Sequence, residues 1–192
     1  MQGLMVVDVQ YDFLAEGSLP ILDAEEILPI IQDLAKKFKK SKCFATQDYH
    51  PANHSSFVEN GGVWPVHCVG GTKGAMIHED LDGLFGMTLQ KGHDRSADSY
   101  SVFYDENGRK SEATSTLREA GVDELFICGL ATDYCVKSTV LDALKDGFIV
   151  YVITDACKGV DLSENDVQRA LSAMKQAGAT LITSDHVVDY VV

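Results

Sequence analysis

Positive charge is scarce in this chain: 16 Lys and Arg face 29 Asp and Glu, for a formal net charge of −13. Nucleic acid and anionic membrane are thereby excluded as partners, because either would favour a basic patch. Cysteines are few and unpaired: Cys43, Cys68, Cys128, Cys135 and Cys157 form an odd, widely spaced set with no CxxC pair. That pattern excludes a disulfide framework and a thiolate zinc site, and fits a reducing cytoplasm. No apolar run approaches the roughly 18 residues of a membrane span. The N-terminus opens into an apolar strand without a basic segment and cleavage site, so neither insertion nor secretion is expected. Neither GxGxxG after the first strand nor a Walker loop occurs, which removes the common nucleotide-binding uses of a β/α domain.

What is present is ordinary globular composition, 45% hydrophobic and 23% charged over 192 residues, enough for one domain spanning residues 1–192. Strand and helix patterns alternate. Leu4 to Val7 precedes a helix over Ala24 to Lys40, and Cys43 to Thr46 follows. After a long polar, glycine-rich middle come Met87 to Gln90, a helix over Glu112 to Ala120, and the strand Leu125 to Cys128. A helix over Val136 to Lys145 then presents Val136, Val140, Leu141 and Leu144 on one face. Phe148 to Ile153 is apolar on both faces, as buried parallel strands require; Ser163 opens a helix to Ala177, and Thr180 to Ile182 is the last strand. Ser163-Glu-Asn-Asp166 reads as a capping box with Asp in the last position. Six strands with intervening helices predict an α/β fold, a three-layer α/β/α sandwich on a mainly parallel, doubly wound sheet. His50 to Gly86 is too long for a passive connection.

Such sheets bind ligands at the carboxyl ends of their strands. Asp8, Asp48, Lys91 and Cys135 follow the first four strands in turn, so four ionisable or nucleophilic side chains converge on one edge. Taken singly, each has a plain structural alternative: the aspartates as loop caps, the lysine as a solvated strand end, the cysteine as a small buried hydrophobe. Cys135 falls in a first helical turn, where free N–H groups and the helix dipole are expected to favour the thiolate. Asp48 and His50 share one side of an extended segment, and His67 can return to them across the loop. A carboxylate with two imidazoles suits Zn, Mn or Fe(II) and leaves positions open, and His54 can add a bond through water. Surface histidines in a polar loop are the alternative.

Several segments together carry a specific likeness: Val7-Asp8-Val-Gln-Tyr-Asp-Phe13, Gln47-Asp-Tyr-His-Pro-Ala-Asn-His54, Gly62-Val-Trp-Pro-Val-His-Cys-Val69, Gln90-Lys-Gly92 with Asp98-Ser-Tyr-Ser101, and Gly129 to Val136. On these the chain resembles the nicotinamidases (pyrazinamidases) of the isochorismatase-like cysteine hydrolases over nearly its whole length. The resemblance implies the isochorismatase-like hydrolase fold and a catalytic triad of Asp8, Lys91 and Cys135. It implies an oxyanion hole from the backbone N–H groups of Ala131 and Cys135, with a cis peptide between Leu130 and Ala131. It also implies a pyridine pocket of Phe13, Leu19, Trp64 and Tyr100, and one divalent ion, zinc first with Mn or Fe as alternatives, on Asp48, His50 and His67.

The activity so implied is hydrolysis of nicotinamide to nicotinate and ammonia through a cysteine thioester, in NAD salvage, with pyrazinamide as a further substrate. Water held by the metal would resolve the thioester, and the metal would read the ring nitrogen. Three other readings stand beside it. The nearest is an isochorismatase-like hydrolase acting on a different small amide, such as an N-carbamoyl compound, or on an isochorismate-like ether. A non-catalytic metal-binding scaffold is the second. The third is a thiol redox protein, which the lack of a nearby resolving cysteine disfavours. Homo-oligomerisation is left open by the sequence.

Overall fold

The computed structural model describes residues 1–190. Six strands form one sheet: β1 (Gln2–Val7), β2 (Cys43–Asp48), β3 (Met87–Lys91), β4 (Glu124–Leu130), β5 (Ile149–Lys158) and β6 (Thr180–Ile182), in the order β3-β2-β1-β4-β5-β6. All five neighbouring pairs are parallel. The two central strands are buried along nearly their whole length, which is why Leu4-Met-Val-Val7 and Leu125-Phe-Ile-Cys128 read as unbroken apolar runs. Order reverses between β1 and β4: the connections from β1 to β2 and from β2 to β3 lead left, and those after β3 lead right. Right-handed crossovers therefore put α1 (Ile27–Ala35) on one face and α2 (Ala113–Glu119), α3 (Lys137–Lys145) and α4 (Asp166–Gln176) on the other. This is the expected three-layer α/β/α sandwich.

Local differences from the sequence reading have identifiable causes. The first helix is shorter than Ala24 to Lys40: Ala24–Glu26 is a 3-10 turn, and α1 ends at Ala35, where the lysine-rich, solvated Lys36 to Lys40 segment starts. Ile27, Leu28, Ile31, Leu34 and Ala35 form its buried face. The capping box forms by half, since the Ser163 N–H donates to Asp166 Oδ2 at 2.8 Å, but Asn165, in a left-handed conformation, caps α4 without a side-chain bond. On α3 the buried face is Thr139, Val140 and Ala143 rather than one including Leu141. β5 runs on to Lys158 because, past a register shift in β4, Cys157 and Lys158 pair with Gly129 and Leu130. No helix among the described residues is long and apolar enough to cross a membrane.

Candidate active site

The β3-β2-β1-β4 order sets the carboxyl ends of four strands side by side, and the predicted quartet lies there. Asp8 directly follows β1 and takes φ +50, a left-handed conformation uncommon for a residue with a side chain. Its own N–H is anchored to Thr46 Oγ1 at 3.2 Å, and Thr46 Oγ1–H donates to Asp8 Oδ1 at 2.5 Å. Asp48 and Lys91 are the last residues of β2 and β3 and directly opposed in register. The buried Lys91 ammonium lies 2.9 Å from Asp8 Oδ2, 2.5 Å from Asp48 Oδ1, 3.0 Å from the Ser99 carbonyl and 3.5 Å from Cys135 Sγ. Oxygens of Asp8 and Asp48 and the Cys135 sulfur all fall within 4.8 Å of one another.

Cys135 sits in a one-turn π-helix, Thr132–Val136, that runs into α3. The Ala131 carbonyl accepts the N–H of Tyr134 and of Val136 at 3.1 and 3.0 Å, which winds this turn. The bond between Leu130 and Ala131 is cis. The expectation that the helix start would lower the thiol pKa is overturned. Burial, the largest effect, with the Asp8 and Asp48 charges, pushes Cys135 well above the ordinary cysteine range, and Lys91 opposes them only in part. Burial likewise raises Asp8, against the pull of Lys91 and the Thr46 hydrogen bond. Burial disfavours the Lys91 charge, but Asp48, Asp8 and Cys135 outweigh it and hold the ammonium well above the usual lysine range.

Asp48 joins this cluster to a second one. Its Oδ1 faces Lys91, while Oδ2 is 3.8 Å from His50 Nε2. His50 Nδ1–H donates to the Gly92 carbonyl at 3.0 Å and His67 Nδ1–H to the Pro65 carbonyl at 2.8 Å. Both rings thus keep their protons on Nδ1 and offer a lone pair at Nε2. Gly92 is required here: at φ +73, any Cβ would fall 2.5 Å from His50 Cε1. His50 Nε2 is buried without a hydrogen-bond partner, and burial pushes that imidazole down to about 3, so it stays neutral. Ligand atoms of Asp48, His50 and His67 lie within 4.8 Å of one another, a donor set that fits one divalent ion. His54 stacks on His50 with centroids 4.2 Å apart, and its Nδ1 accepts the Ser56 N–H at 3.3 Å, which leaves the proton on a buried, unpartnered Nε2.

A pocket opens onto both clusters. It is lined by Phe13, Leu19, Trp64, Tyr100, Ala131 and Cys135, as well as by Asp48, His50 and His67. Trp64 Nε1–H donates to Tyr100 Oη at 2.8 Å, so two side chains from distant loops form one wall. The sequence reading did not place Ile21, Asp98, Tyr134 and Val160 in this lining. Asp98 and Tyr134 belong to the Asp98-Ser-Tyr-Ser101 and Gly129 to Val136 motifs, next to Tyr100 and Cys135. Val160 had no local signal; it is held there because the buried Asp133 carboxylate accepts the N–H groups of Val160 and Asp161 at 3.0 and 2.8 Å.

Comparison with known proteins agrees with this architecture. The isochorismatase domain family matches residues 2–186. The nicotinamidase of Escherichia coli is 40% identical, covering 95% of this chain and 94% of its own. Among solved structures, PnC1 of L. infantum in complex with nicotinate superposes with a TM-score of 0.91 at 37% identity, over 96% of this chain and 93% of that one. The pyrazinamidase of Pyrococcus horikoshii in complex with zinc gives 0.85 at 41% identity, over 95% and 98%.

Proposed function

This chain belongs to the isochorismatase family, and from that membership and its site we propose that it hydrolyses nicotinamide to nicotinate and ammonia, with pyrazinamide as a second substrate. One observation carries the reading: the Cys135 thiol and the Asp48, His50 and His67 set line a single aromatic pocket, and the buried pair of Asp8 and Lys91 lies behind the thiol, with Lys91 Nζ 3.5 Å from Cys135 Sγ. Phe13, Leu19, Trp64 and Tyr100 hold the ring, and Asp8, Lys91 and Cys135 act on the carboxamide. Asp8 takes the Cys135 proton as the sulfur bonds to the carboxamide carbon, and Lys91 stabilises the charge that develops between them. The tetrahedral oxyanion is met by the backbone N–H groups of Ala131 and Cys135. Asp8 returns its proton to nitrogen, the C–N bond breaks, and ammonia leaves a thioester on Cys135. Water then adds to the thioester with Asp8 again as base, and the S–C bond breaks to release nicotinate. A divalent ion on Asp48, His50 and His67, zinc by analogy with the Pyrococcus relative, would supply Lewis acidity beside the ring.

Ammonia release from nicotinamide, pyrazinamide and benzamide, before and after chelation, tests the reading. We expect hydrolysis of the first two, its loss on chelation, and benzamide slower by about 10⁴-fold, since a site built for a polar partner rejects its absence strongly. Failure to release ammonia from nicotinamide would reject the assignment, and turnover of an N-carbamoyl amide instead would return the chain to the other amidohydrolases of its family.

A further inference from the structure

The short loop after β1 supports more than the pyridine pocket. Gln10, fully buried, accepts the Asp48 N–H on Oε1 at 2.8 Å and donates from Nε2 to the Asp48 and Ala75 carbonyls at 2.8 Å each. Two residues on, Asp12 Oδ2 accepts the Cys68 N–H at 2.7 Å. Cys68 immediately follows His67 and takes φ +46, a left-handed conformation that residues with a Cβ avoid. Its carbonyl in turn accepts the His50 N–H at 2.9 Å. Cys68 thus joins the two histidines, bonded to His67 along the chain and to the His50 backbone through this hydrogen bond.

We propose that Asp12 is a positioning residue for the metal-ligand histidines, acting as a latch that holds Cys68 in its left-handed conformation; this rests on the reading of Asp48, His50 and His67 as metal ligands. A carboxylate is suited to the task, because hydrogen bonds to an ionised acceptor are roughly twice as strong as neutral ones. The carboxylate is itself held in place. The Asp12 N–H donates to the Gly74 carbonyl at 3.0 Å, the Ser18 N–H approaches Asp12 Oδ1 at 3.4 Å, and a Cβ on Gly74 would fall 2.1 Å from Asp12 Oδ2. Gly74 thus leaves the space the latch occupies. The adjacent Phe13 ring tilts against His67 with centroids 5.7 Å apart, so the same loop supports the ligand backbone and packs on its ring. Release of the Cys68 N–H would let residue 68 relax toward negative φ and swing His67 away from His50.

The experiment is a titration of the metal-free full chain with Zn²⁺ in competition with a chromophoric chelator. Asp12→Ala should weaken zinc binding on the order of 10-fold or more, in the range seen when residues supporting metal ligands are removed. Adding Cys68→Gly to that variant should restore most of the loss, because glycine takes positive φ freely. That rescue is the readout a general packing role for Asp12 would not produce. Wild-type affinity in Asp12→Ala, or a loss that Cys68→Gly fails to recover, overturns the latch. If wild type binds no zinc, or His67→Ala binds as tightly as wild type, the ligand assignment itself fails. Should Asp12→Ala not fold, Asp12→Asn with and without Cys68→Gly reads the same difference.

Discussion

The ammonium of Lys91 lies 2.9 Å from Oδ2 of Asp8 in a contact shielded from water, with the two side chains 3% and 0% exposed. Asp48 leans on the same ammonium from the other side. One cation thus offsets two buried carboxylates, an arrangement that is costly to leave half made.

Lys91→Met should accordingly do two things. Removing one member of a buried ionic set costs about 3–5 kcal/mol, readable as a lower midpoint in denaturant at unchanged slope. Ammonia release should fall to background, since the variant can neither stabilise the thiolate nor keep Asp8 ionised. A loss of stability under about 1 kcal/mol would show that the carboxylates find other compensation.

Cys135→Ala should abolish hydrolysis while thermal stability and zinc binding stay close to wild type. A quenched reaction of the wild type should carry a nicotinoyl adduct on Cys135 by mass spectrometry. Alkylation should reach Cys135 first, because among the described residues no other cysteine lines the pocket. Turnover in Cys135→Ala would reject the thioester route.

These two residues also show what the sequence could and could not reveal. Asp8, Asp48 and Lys91 were legible because each ends or follows a strand whose apolar run marks it, and a parallel sheet gathers such ends on one edge. The helix after Cys135 was legible too, but not the electrostatics of the sulfur. Those depend on burial and on two carboxylates from β1 and β2, which only the assembled sheet brings together. The extension of β5 and the arrival of Val160 at the pocket had the same origin: pairing across the register shift in β4, and an Asp133 carboxylate reaching a loop 27 residues away. Neither leaves a local pattern. Asp12 was visible only as part of a motif, and its partner at Cys68 is 56 residues distant.

The pH profile tests Asp8 as the base. Asp8 must be ionised to take the thiol proton, so activity is present above its pKa and lost as pH falls through it. Burial, the largest effect, raises that pKa above the ordinary carboxylate value of 3.8, while Lys91 and the Thr46 hydroxyl lower it. Thr46→Val removes one lowering influence with little change in shape, so the acid limb of kcat/KM should move to higher pH, and Thr46→Ser should leave it in place. An unmoved limb in Thr46→Val would mean that another group governs it.

The Trp64 to Tyr100 hydrogen bond tests the pocket wall apart from the chemistry. The two residues are 36 positions apart and meet through the indole N–H at 2.8 Å, with Tyr134 packed edge-on against Trp64 at 5.0 Å. Tyr100→Phe keeps the ring but removes the acceptor, leaving a largely buried indole N–H without its partner, at a cost of about 1–3 kcal/mol to the packed wall. Because neither group touches the reacting carbon, that cost should fall equally on bound substrate and transition state. KM for nicotinamide should therefore rise, by about 5-fold for each kcal/mol of binding lost, while kcat stays within about two-fold. A variant that lowers kcat at unchanged KM would instead place the Tyr100 hydroxyl in contact with the reacting carboxamide, and would take it out of the ring-binding wall.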